Sequence, residues 1–169
     1  PINSIPDVFT SFRKKVERDG SVRPCHETPG NMNFPENLES SKIPDLCDFG
    51  FDEYEPEDPR SVMKFYGGET EALKRMQDYF WDTNAVQNYK QTRNGLLGSD
   101  YSSKFSAWIA LGCLSPREVY WEIKKYDQAY GSGDSTYSLY LELLWRDYFR
   151  FMFKKYGNKF FQKIGFKGV

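Results

Sequence analysis

Residues 134–157, DSTYSLYLELLWRDYFRFMFKKYG, decide the fold. The stretch opens on Asp134 and Ser135, which favour a helix start, and closes on Gly157, which favours a helix end. Between them Leu139, Leu141, Leu143, Leu144, Tyr148, Phe149, Phe151, Met152 and Phe153 leave little polar face, the pattern of a helix buried in a larger core. Through that apolar surface runs one charged row, Glu142, Arg146 and Arg150, at spacings of four, with Trp145 beside it. Two readings fit the row. In one, Glu142 and Arg146 form an ion pair within the helix, carboxylate first, the favourable order. In the other they wall a pocket: the guanidinium holds a phosphate or carboxylate, Glu142 accepts from a base edge, and the indole offers a face for stacking.

The length, 169 residues, suits one domain with a substantial core. Mean hydropathy is −0.71 and no apolar run reaches membrane-spanning length, so a soluble chain is expected. The opening, PINSIPDVFTSFRKKVERDG, lacks a signal-peptide core and an initiating Met, the expectation for a processed chain or a piece of a longer one. Three cysteines (Cys25, Cys47, Cys113) at wide spacings fit a reducing compartment without a disulfide framework. A single histidine, His26, leaves little room for His-based metal or triad chemistry, and Cys25-His26 is too sparse for zinc, so no metal site is expected. The net charge of −1 argues against a chain basic throughout. Charge is nevertheless segregated. Asp45–Asp58 holds seven acids and no base, and Lys154–Lys167 five lysines and no acid. An aromatic content of 18% points to a thick core, a flat ligand, or both.

Outward from the decisive helix, residues 5–16 predict a short helix capped by Asp7, with Val8, Phe12 and Val16 on one side. Residues 19–60 hold six of the nine prolines and no periodicity, as in an extended arm. Phe34, Leu46, Phe49, Phe51 and Tyr54 suggest that the arm lies over another surface. From Glu69 the pattern is helical again, with Ala72, Leu73, Met76, Tyr79 and Phe80 inward and acids in the first turn. A short helix over 85–92 precedes a loop marked by Asn94-Gly95 and Gly98. Ser102, Ser103 and Ser106 then gather, with Lys104, where a helix over about 104–111 begins. Hydroxyls, open N–H groups and a positive charge make such a place an anion cradle, or simply a serine-capped helix start. Ser115-Pro116-Arg117-Glu118 reads as a capping box opening a helix that buries Val119, Ile123 and Tyr126. The expectation is an all-α domain of about five helices behind a long irregular arm.

Five stretches together resemble the photolyase/cryptochrome family, most closely its cryptochrome DASH branch: IPDVFTSFRKKVE, GGETEAL, YKQTRNGLLGSDYSSKFSAWIALGCLSPR, ELLWRDYFRF and KYGNKFF. The likeness covers nearly the whole chain in order. It implies residues 1–65 as an interdomain connector and 66–169 as the N-terminal part of a helical FAD-binding domain. It further implies blue-light-driven repair of cyclobutane pyrimidine dimers by electron transfer from reduced FAD, of the DASH type on single-stranded DNA. By motif match, Tyr89, Ser102, Ser103, Lys104, Phe105 and Ser106 line the ribityl and phosphate region of FAD. Glu142 and Trp145 match the lesion-facing carboxylate and stacking indole, the catalytic pair, and Arg146 faces the cofactor side. Ala107 stands where the family commonly has Pro, which leaves the hydroxyls in place.

In the family an antenna-bearing α/β domain, in places holding folate, precedes this region, and a second helical half with the flavin-ring contacts follows it. The remainder of such a polypeptide is therefore an implied partner, along with dimer-containing DNA and no membrane. The implied location is cytoplasmic in a bacterium and chloroplast or mitochondrion in a eukaryote. Two alternatives share the residues: a blue-light photoreceptor on the same flavin pocket, and a non-catalytic helical module whose aromatic face binds another chain.

Overall fold

A capping box opens the helix after Gly112: Ser115 Oγ accepts from the Arg117 N–H at 3.2 Å, Glu118 accepts from the Ser115 N–H at 3.2 Å, and Pro116 takes the first position. The computed structural model describes residues 2–39, 41–51 and 58–166. Its α-helices are α1 (Phe9–Asp19), α2 (Glu69–Gln77), α3 (Tyr89–Thr92), α4 (Ser106–Ala110), α5 (Pro116–Tyr130) and α6 (Asp134–Tyr156). No strand occurs among the described residues, and the fold is all-α. α2 runs into a wide π-helical turn, Asp78–Asp82, because the Asp78 carbonyl accepts both the Thr83 N–H and the Thr83 hydroxyl at 2.9 Å. A 3-10 turn, Ala85–Asn88, leads into α3.

Two apolar clusters hold these elements. The larger gathers Ala72, Met76, Tyr79, Phe80, Val86, Tyr89, Phe105, Trp108, Leu114, Val119, Ile123, Tyr126 and Leu139, so α2 to α5 pack around the N-terminal half of α6. The smaller is Phe12, Tyr148 and Met152, where α1 lies on the C-terminal half of α6. Polar ties fix α1 there. The Tyr148 hydroxyl donates to the Asp7 carbonyl at 2.6 Å, while Lys155 Nζ and the Tyr156 hydroxyl donate to the Asp7 carboxylate at 2.7 and 2.6 Å.

Several sequence expectations change at these points. Asp7 is not the cap of α1. Val8 precedes the helix, and Asp7 is engaged by α6 instead. Val8 and Leu73 face solvent, while Phe12, Ala72, Met76, Tyr79 and Phe80 are inside. α6 is not enclosed all round: Leu139, Leu144, Tyr148 and Met152 are buried, and Phe149, Phe151 and Phe153 are exposed. Its start is secured by Thr136, whose hydroxyl accepts the Gly133 N–H at 3.2 Å, and its end by Gly157 at φ +55. In the arm, Trp121 Nε1 donates to the Arg23 carbonyl and Arg117 to the Pro24 carbonyl, both at 3.1 Å. Beyond that point Phe34, Leu46, Phe49 and Phe51 are exposed, so the surface they were expected to cover is not among these helices. Tyr54 lies outside the described residues.

Candidate functional site

A cleft of about 590 Å³ opens between the loop 102–106, α3 and α6. Tyr89, Ser102, Ser103, Lys104, Phe105 and Ser106 line one side, and Leu139, Glu142, Leu143 and Arg146 the other. Every residue that the family resemblance assigns to a cofactor thus borders one cavity, together with Glu142. α3 brings Tyr89 because Lys90 N–H donates to Ser135 Oγ at 3.2 Å and Lys90 Nζ pairs with Asp134 at 2.6 Å, tying α3 to the first turn of α6.

The serine-bearing loop is shaped from within. Gly95 and Gly98 flank the Tyr101 ring so closely that an added Cβ would lie 2.2 and 2.6 Å from it. Thr92 Oγ1 donates to the Tyr101 carbonyl at 2.9 Å. Lys104 then adopts φ +61, in the left-handed region, and Phe105 follows at φ −65, ψ −19. A left-handed residue before a right-handed one turns successive N–H groups into one concavity, an anion-binding nest. The N–H groups of Ser103, Lys104 and Phe105 donate to no other described residue. The reversal at Lys104 also explains why α4 begins at Ser106 and not at about residue 104 as the sequence predicted.

The charges do not pair as the helical spacing predicted. Glu142 binds Arg93, from the loop after α3, and Arg146 binds Asp147 at 3.0 Å. Lys104 makes no ion pair among the described residues. Arg93 offsets the Glu142 charge and Lys104 leaves the cleft wall positive, while Arg146, partly offset by Asp147, reaches on toward Arg150 in a depression beside Gly112. Burial first, then the Glu142 charge, pushes the Tyr89 phenol above its ordinary range, so Tyr89 stays a neutral hydroxyl.

Trp145 stands apart. Its indole stacks on Phe9 of α1, centroids 3.5 Å apart and planes 10° off parallel, with the Phe149 ring 5.5 Å away. One residue of helix is about 100° of rotation, which carries Trp145 from the Arg146 cleft to the α1 side. Two residues that shape the site escaped the sequence reading. Arg93 sits in a loop with no spacing rule to link it to Glu142. Arg75 reads as a surface base on α2 yet is 7% exposed, and only Asp78 three residues on hinted at a partner.

The donor set fits the phosphate and ribityl part of a dinucleotide: hydroxyls and open N–H groups on one loop, Lys104 and Arg146 for charge, and a neutral tyrosine on the wall. No family model matches the chain. It is 52% identical over 166 residues to "Cryptochrome DASH" of Danio rerio, covering 97% of this chain and 32% of that protein. It is 50% identical over 170 residues to "Cryptochrome DASH" of Synechocystis sp., covering 97% and 33%. It is 45% identical over 163 residues to "Cryptochrome DASH, chloroplastic/mitochondrial" of Solanum lycopersicum, covering 96% and 28%. A solved structure of a Synechocystis sp. PCC6803 cryptochrome superposes with a TM-score of 0.88 at 49% identity, over 98% of this chain and 34% of that one. The chain therefore spans about a third of the length of these relatives.

Proposed function

Because the chain belongs to the photolyase/cryptochrome family, being similar to its DASH members, we propose that the cleft is the phosphate-side wall of an FAD site. We propose further that the protein carrying it performs blue-light-driven repair of cyclobutane pyrimidine dimers, of the DASH type on single-stranded DNA. The carrying observation is that the hydroxyl-rich nest, Tyr89 and Arg146 meet in one cleft whose acid is already neutralised. When bound, reduced FAD supplies the light-excited electron for splitting the dimer. The chain's own residues hold and orient. The Ser102, Ser103 and Ser106 hydroxyls and the nest N–H groups bind phosphate oxygens, Lys104 and Arg146 offset their charge, and Tyr89 lines the ribityl path.

At the cleft rim Glu142 accepts a hydrogen bond from the edge of a flipped base, held in place by Arg93. Extrusion of a dimer costs less than that of an intact base because its stacking is already damaged. Trp145 serves the same lesion from the adjoining face of α6, where stacking is worth about 1–3 kcal/mol per base. Phe9 covers one face of that indole, so a base meets it after Phe9 moves or on a side that Phe9 leaves open. In this reading residues 66–169 are the first part of the FAD-binding unit and residues 1–65 its connector, of which α1 docks on α6. One alternative uses the same cleft for blue-light signalling; the carboxylate of Glu142 at the rim favours repair.

The test is an absorption spectrum of the purified chain, alone and continued by the rest of the helical domain of the Synechocystis relative. Flavin bands are expected to be weak alone and stoichiometric in the continued protein, and Tyr89→Ala or Ser103→Ala should weaken them. Stoichiometric flavin on the chain alone would refute the idea that it forms only part of the site. Flavin in neither sample would overturn the cofactor reading and leave a binding module in front. If flavin is bound, dimer loss from irradiated oligonucleotide under blue light separates repair from signalling.

A further inference from the structure

Arg75 does not line the cleft; it lies behind the loop that does. Its Nε donates to the Ser103 carbonyl at 3.2 Å, and Nη2 donates to the Ser99 carbonyl at 2.9 Å and the Ser102 carbonyl at 3.4 Å. Nη1 donates to the Asp100 carboxylate at 3.0 Å and to Asp78 at 2.6 Å. The guanidinium also lies over the Tyr79 ring, 5.1 Å from its centroid, which seats it against the π-helical turn that follows α2. Burying a guanidinium is costly, and one carboxylate would suffice to offset its charge. Here four of five acceptors come from a single loop, residues 99–103, some 25 positions away.

That pattern has a geometric consequence. In a trans peptide the carbonyl and the following N–H point opposite ways. Drawing the Ser102 and Ser103 carbonyls toward Arg75 turns the Ser103 and Lys104 N–H groups away from it, toward the cleft side of the loop. These N–H groups donate to no other described residue. We propose that Arg75 is the positioning residue of the phosphate cradle: its planar fork fixes the 99–103 loop so that the nest presents its donors to the anion. The inference rests on the flavin reading above and deepens it. Asp100 completes the fork from the loop side, and a lysine, a point charge with no planar fork, cannot reproduce it.

The test compares Arg75→Lys and Asp100→Asn with the parent protein. Arg75→Lys keeps a charge beside Asp78 and Asp100, while Asp100→Asn leaves an oxygen to accept from Nη1 but removes the carboxylate charge, so each variant loosens the fork without emptying it. In the 169-residue chain, amide hydrogen exchange over residues 99–106 should accelerate in both variants while α5 and α6 stay protected. In the continued flavoprotein, Arg75→Lys should weaken FAD by about tenfold while leaving riboflavin, which has no phosphate, unchanged. Unaltered exchange in the loop overturns the inference, as does an equal loss of FAD and riboflavin affinity. A parent that binds FAD no better than riboflavin defeats the cradle reading itself, a failure visible before any variant is compared.

Discussion

Arg93 and Glu142 meet across 49 positions of chain and set the charge of the cleft wall. Both side chains are about 40% exposed, at 40% and 42%, so the pair contributes to stability on the order of 0–1 kcal/mol. Its weight lies in holding one carboxylate in place. Arg93→Ala is therefore expected to leave the urea midpoint of the chain nearly unchanged while lowering the affinity of the continued protein for dimer-containing single-stranded DNA. Loss of stability without loss of binding would show a structural pair only. The helical spacing rule correctly put Glu142 and Arg146 in one row but named the wrong partner. Arg93 arrives from a loop, and no period along the sequence reports which loop side chain reaches a helix face.

The elements divide into those written locally and those shaped by neighbours. α5 was legible because its capping box is four consecutive residues, all of which act within one turn. The loop before α4 was legible only as a loop. Its form comes from Tyr101 lying between Gly95 and Gly98 and from the Lys104 reversal, which shortens α4. A methyl at Gly98 would sit 2.6 Å from the ring and displace it. Gly98→Ala should therefore destabilise the chain by roughly 1–3 kcal/mol by urea unfolding, the usual cost of overpacking. The same change in a Tyr101→Ala background should cost almost nothing, because the ring it collides with is gone. An equal cost in both backgrounds would place the glycine's role in the backbone instead.

Across the molecule, burial of phenols ties stability to alkaline pH. Burial is the largest cause that raises Tyr79, Tyr89, Tyr126 and Tyr140, with Tyr140 pushed up to about 12 and helped there by Glu17 and its tyrosine neighbours. The folded chain thus holds these protons more tightly than the unfolded chain, whose phenols titrate near the ordinary value of about 10. Their contribution is fully present below about pH 10 and is lost as pH rises through the folded values. Urea midpoints should fall from about pH 10 upward, and Tyr140→Phe should remove part of that fall. A midpoint indifferent to alkali, with the fold intact by circular dichroism, would contradict the burial of these hydroxyls. The sequence by itself determined the all-α class, the helix ends at Ser115 and Gly157, the serine cluster and the charged row, because each is a pattern over one or two turns of chain. The tertiary structure alone decided that Arg75 braces the serine loop, that Arg93 takes Glu142 and that Trp145 turns toward α1. Those outcomes depend on which distant segments pack together, and the 3.6-residue period carries no record of that.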